Sequence, residues 1–98
     1  MIVVRDIFHL KFGKAKEAIA IWKEGVAILK KAGYNPDRLL ADVTGTYYTV
    51  VVESTYSSLS DYEDRLEDTQ AYNEWRNWYD KFIPLVKSGS REIFRIVD

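Results

Sequence analysis

The 98-residue chain has no cysteine, one histidine, two prolines and one methionine. Without cysteine there is no disulfide framework, thiolate metal site, iron–sulfur cluster or cysteine nucleophile, and a lone histidine leaves little for zinc or a Ser-His-Asp relay. No apolar run approaches the roughly 18 residues that a membrane-crossing helix needs, so no membrane partner is expected. Charge of one sign is lacking too: 14 Lys and Arg face 15 Asp and Glu. That balance argues against a nucleic-acid partner. Met1-Ile2-Val3-Val4-Arg5-Asp6 carries charge too early for a signal peptide, which makes the cytoplasm the expected compartment.

What remains is a composition that is 47% apolar, 30% charged and 14% aromatic, with three Trp, seven Tyr and four Phe. It fits one packed domain spanning residues 1–98. The run IVVRDIFHL over 2–10 is β-branched and aromatic and stops at Phe12-Gly13, which predicts a strand. From Lys14 to Ala32 the apolar period changes to three and four, through Ala15, Ala18, Trp22, Val26 and Leu29. This predicts an amphipathic helix, closed by Lys30 and Lys31 in its last turn and Gly33 just beyond it. Residues 38–43 and 46–55 read as two strands around a Thr44-Gly45 turn. Ser60 with Glu63 three residues on has the form of a capping box. It would start a long helix with a phase break near Thr69 to Ala71 and a second bend at Pro84. Ser88-Gly89-Ser90 is expected to end that helix, and REIFRIVD from Arg91 to form the last strand.

The order βαββαβ, with right-handed crossovers, predicts an α+β ferredoxin-like fold: a four-stranded antiparallel sheet in the order 4-1-3-2 with both helices on one face. Strand alternation then separates two faces. One parity, Val4, Phe8, Leu10, Leu39, Ala41, Val43, Tyr48, Val50, Val52, Phe94 and Ile96, suits a core beneath the helices. The other mixes Val3, Ile7, Leu40, Val51, Ile93 and Val97 with Arg5, His9, Asp42, Tyr47, Glu53, Arg91 and Arg95. An open apolar face of this size is expected to stack on its twin in a two-fold homodimer.

The opening IVVRDIFHLKFG and its Lys- and Ala-rich helix, YYTVVVES leading into SLSDYE, an EW pair on the second helix and the closing SGSREIFRI resemble the dimeric α+β barrel superfamily. The likeness is nearest to its NIPSNAP-like members and more distant to the antibiotic-biosynthesis monooxygenases. It implies a barrel of two sheets and a pocket between sheet and helices, without a settled common chemistry and with no cofactor expected. The haem-degrading members of the superfamily need an Asn on the first strand, and Asp6 is offered here.

Candidate site residues fall into two groups. Arg5, His9, Tyr47, Glu53 and Arg95 share the open face, where paired guanidiniums could hold a carboxylate or phosphate. The alternative is that Glu53 and Asp42 simply pair with these arginines. His9 is a weak candidate for a general base, since imidazole in general titrates near neutral pH. Trp22, Tyr48 and Trp75 would line a cleft between helices and sheet. The series Tyr72, Trp75, Tyr79 and Phe82 reads equally as core. The acidic run Asp61, Glu63, Asp64, Glu67, Asp68 lacks calcium-loop spacing and predicts no metal site. The functional expectation is a small-ligand-binding homodimer. The alternative is a cofactor-independent monooxygenase or isomerase acting on an aromatic or polyketide-like compound.

Overall fold

In the computed structural model, which describes residues 1–34 and 36–98 apart from the side chains of 70 and 71, the β-branched opening run forms β1 (Ile2–Leu10) and the three-four period forms α1 (Ala15–Lys31). There follow β2 (Arg38–Ala41), β3 (Thr49–Tyr56), α2 (Leu59–Ala71), α3 (Asn73–Phe82), a 3-10 turn at Ile83–Leu85 and β4 (Val86–Arg95). The antiparallel sheet runs β2-β3-β1-β4, the order predicted from the sequence.

The helix ends are set by local chemistry. After α1, Tyr34 N–H bonds to Leu29 O at 2.9 Å and Gly33 N–H to Lys30 O at 3.1 Å. This is a Schellman closure with Gly33 left-handed at φ 90°, as its position after the lysines implies. The cap of α2 lies two residues before the expected one. Ser58, not Ser60, accepts the Asp61 N–H at 3.1 Å, and the Asp61 carboxylate reaches back to Ser57. The phase break takes the form of a helix boundary at Tyr72, whose ψ of 114° leaves the helical region.

Two strand boundaries differ from expectation, and both re-aim side chains. The β2–β3 connection is not a tight turn at Thr44-Gly45. Its ladder stops at the Ala41–Val50 pair, and Asp42 Oδ1 caps the Thr49 N–H at 2.8 Å. Tyr48 sits left-handed at φ 57°, its ring edge-on to Phe12 at 5.2 Å. Tyr47 and Tyr48 therefore belong to this loop and not to a strand face.

The second difference is larger in effect. Ser88-Gly89-Ser90 does not end a helix; β4 begins at Val86 and contains all three residues. Leu10 pairs with Val86 while His9 pairs with Ser88, so Lys87 is an extra residue in the ladder. A one-residue bulge reverses the facing of everything beyond it. Gly89, Arg91, Ile93 and Arg95 consequently oppose Phe8, Asp6, Val4 and Ile2, on the helix-facing side, and Phe94 opposes Val3 on the open side.

The core lies between helices and sheet. Leu10, Ala18, Trp22, Val50, Val52, Trp78, Phe82 and Leu85 are buried together. Trp78 packs so closely on α1 that a β-carbon at Gly25 would stand 2.6 Å from its ring, and its indole N–H donates to Ile21 O.

Candidate functional site

The tryptophan-rich layer does not fill the space above the sheet. A cleft of about 840 Å³ opens between β1, β3 and β4 below and α1, α2 and α3 above. Its volume lies in the range of small-molecule sites.

One half is aromatic. Trp22 packs on Phe8 with ring centroids 5.7 Å apart and faces Trp75 at 6.0 Å. Trp75 stacks in turn on Trp78 at 4.5 Å. Gly89, paired with Phe8, leaves the sheet floor low at this point. Trp22 Nε1 is buried without a hydrogen-bonding partner among the described residues.

The other half is polar. Asp6 and Arg91 pair directly across β1 and β4, and Arg91 Nε donates to Asp6 Oδ1. The guanidinium lies over the Tyr62 ring, 5.6 Å from its centroid, and Tyr62 meets Tyr56 edge-on at 5.1 Å. Burial pushes the Tyr62 phenol above its ordinary value, with the Arg91 charge pulling partly back. Burial is also the main reason the Tyr56 phenol is raised. Both therefore stay protonated across the neutral range. Arg65, on the same wall, is held by Asp61 at 3.2 Å and lies over Tyr34.

The sequence-predicted site residues divide among several places. Trp22 and Trp75 line the cleft as expected, but Tyr48 is not among its lining residues. Arg5, His9 and Glu53 share the open face, together with Arg38. There Glu53, only 7% exposed, accepts from Arg38 Nε at 3.0 Å, with Arg38 Nη2 at 2.7 Å and Arg5 Nε at 3.3 Å completing the ion pairs. Arg95 does not join them: it opposes Ile2, on the other side of the sheet, because of the bulge at Lys87. The expected pairing of Arg5 with Arg95 as an anion fork is thus replaced by an Arg38–Glu53–Arg5 cluster. Asp42 is occupied with the Thr49 amide. His9 Nδ1 lies 3.2 Å from Thr49 Oγ1, with the sheet between it and the cleft. Tyr47 is 75% exposed in the loop.

Sequence reasoning passed over Asp6, Tyr62 and Arg91. The signal for Asp6 is legible, since it shares the parity of Val4 and Phe8 and so puts a carboxylate in the middle of a helix-facing row. Arg91 is not legible in the same way, because a bulge of one residue decides which face it takes. Among the described residues no group of three or more His, Cys, Asp or Glu side chains is arranged to hold a metal ion, and no helix is long and apolar enough to cross a membrane.

No protein-family model matches the chain, and no curated protein matches it. Solved structures do. A NIPSNAP family protein from Agrobacterium tumefaciens superposes with a TM-score of 0.92 at 23% identity, covering 99% of this chain and 93% of that one. An uncharacterised NIPSNAP-like domain protein from Burkholderia xenovorans gives 0.89 at 26% identity, covering 98% and 84%. A provisionally assigned antibiotic biosynthesis monooxygenase from Nitrosomonas europaea is more distant, at 0.75 and 13% identity with both chains fully covered at 100%. The chain has the ferredoxin-like fold of NIPSNAP domain proteins, the fold that its sequence pattern suggested.

Proposed function

We propose that residues 1–98 form one cytoplasmic domain that binds a small, largely flat and apolar molecule in the cleft between helices and sheet. The observation that carries this reading is the cleft itself: about 840 Å³ left open beside Trp22 and Trp75 in a chain otherwise rich enough in aromatics to fill it. A purely structural layer would close such a space, because apolar aromatic surface left lining an open cleft forgoes the free energy of burial.

The domain works as a homodimer through its open sheet face. Val3, Ile7, Leu40 and Val51 lie on that face, joined by Phe94 in the place expected of Ile93. Phe94 is 48% exposed. The charges of this face are balanced within it, Glu53 lying between Arg5 and Arg38 and Glu92 opposite Arg5. A second copy can therefore cover it without bringing like charges together, whereas a face of one sign would repel its twin.

The test is a titration of planar aromatic compounds followed by tryptophan fluorescence, run beside light scattering of the eluted protein. Quenching by at least one such compound and a dimer mass support the proposal. A protein whose emission and melting temperature respond to none of them is not a ligand-binding domain of this kind, and a monomer mass removes the dimer.

A further inference from the structure

Asp6 and Arg91 are oddly placed for a structural pair. They stand at a helix-facing position of β1 and β4, next along β1 from Val4, which is 1% exposed, and from Phe8, which packs on Trp22. Two apolar side chains there would extend the core, and replacing such a pair by well-packed hydrophobic residues is often neutral or stabilising. The pair also lines the cleft. It remains partly exposed, the Asp6 side chain at 28% and Arg91 at 46%.

The bonding of the pair is incomplete in a specific way. Arg91 donates through Nε to Asp6 Oδ1. No protein hydrogen bond among the described residues occupies its two Nη groups or Asp6 Oδ2, and the partial exposure of the pair leaves them to solvent. The Tyr62 ring beneath the guanidinium fixes its plane. Side by side, then, stand donors and an acceptor that a ligand can take over from solvent. The charge around them is balanced: Arg65, Arg76 and Arg91 in the walls are matched by Asp6, Asp80 and the Asp61 bound to Arg65.

We propose that the Asp6–Arg91 pair is the station that reads the polar head of the cleft's ligand, and that this head is an uncharged group with a donor and an acceptor side by side, as in a carboxamide. Its carbonyl takes the free Arg91 N–H groups and its N–H donates to Asp6 Oδ2, while the flat body extends over Gly89 and Phe8 toward Trp22 and Trp75. An anionic head would meet the Asp6 carboxylate, and a cationic one the guanidinium. This inference rests on the ligand-binding reading above and adds the chemical class to it.

Three probes that share one naphthalene body decide the matter by calorimetry at neutral pH: 2-naphthamide, 2-naphthoate and 2-ethylnaphthalene. The amide is expected to bind about tenfold more tightly than the ethyl compound, the worth of one or two hydrogen bonds to charged groups in a partly exposed site. The naphthoate should bind more weakly than the amide. In Asp6→Asn the Arg91 charge is no longer compensated, so the naphthoate should overtake the amide. If that variant does not fold, the order of the three probes on the wild-type protein still decides. Equal binding of ethylnaphthalene and naphthamide, naphthoate tightest on the wild-type protein, or an unchanged order in a folded Asp6→Asn protein overturns the inference and leaves an apolar site standing. Binding of none of the three overturns the ligand-binding reading and this inference with it.

Discussion

Gly25→Ala is the sharpest perturbation of the packing that frames the cleft. In the middle of a helix this change normally stabilises by about 1 kcal/mol, since alanine restricts the unfolded chain and favours the helical backbone. Here an alanine β-carbon would stand 2.6, 2.7 and 3.0 Å from Cε2, Cζ2 and Nε1 of Trp78. The ring has little freedom to withdraw. It is 2% exposed, stacks on Trp75 and Phe82, and donates to Ile21 O. Overpacking of this kind costs about 1–3 kcal/mol, and a strained indole hydrogen bond adds about 1 kcal/mol more. The unfavourable terms win, leaving a net loss of about 1–3 kcal/mol and a melting temperature lower by roughly 4–24 °C. Urea unfolding followed by far-ultraviolet circular dichroism measures it. Trp78→Phe removes the clashing atoms, so in that background Gly25→Ala should be neutral or stabilising. A wild-type background that tolerates Gly25→Ala, or an equal loss in both backgrounds, refutes the claim that Trp78 packs on α1 too closely at Gly25 to admit a β-carbon.

Three other outcomes are expected. Ser58→Ala should lower stability by about 1 kcal/mol in urea unfolding because it removes the cap of α2, whereas Ser60→Ala should change it far less. The raised Tyr62 and Tyr56 phenols keep their protons in the folded state at pH values where the unfolded chain has lost them. Stability should therefore be intact below the ordinary tyrosine value of 10.0 and fall as pH rises past it; thermal melts of Tyr62→Phe across the alkaline range should show a shallower fall. Phe94→Asp puts a carboxylate into the open sheet face, and light scattering should show a monomer that retains its circular dichroism.

The topology was legible because it depends on coarse features. The change of period from two to three-four at Gly13, the lysines before Gly33 and the β-branched run TVVVE each place an element without reference to the rest of the chain. What could not be read follows from single-residue events. One extra residue at Lys87 exchanged the faces of Arg91, Ile93 and Arg95 with that of Phe94. A ladder that stops at Thr49 removed Tyr47 and Tyr48 from the strand. No local propensity marks such a bulge, since its register is set by Val86 pairing with Leu10 under the helices. The aromatic half of the candidate site follows from helical spacing, which puts Trp22 and Trp75 into one layer. The polar half needed the observed register before Asp6 and Arg91 could be seen as partners.

The central claim is that the cleft, and not the open face of the sheet, receives a small molecule. The most direct test is the ¹H–¹⁵N spectrum of the three indole N–H groups during titration with 2-naphthamide. Trp22 and Trp75, which line the cleft, should shift with a common saturation curve. Trp78, bonded to Ile21 O, should move least. Three unmoved indoles, or shifts confined to the amides of Arg5, His9 and Glu53, would contradict the account.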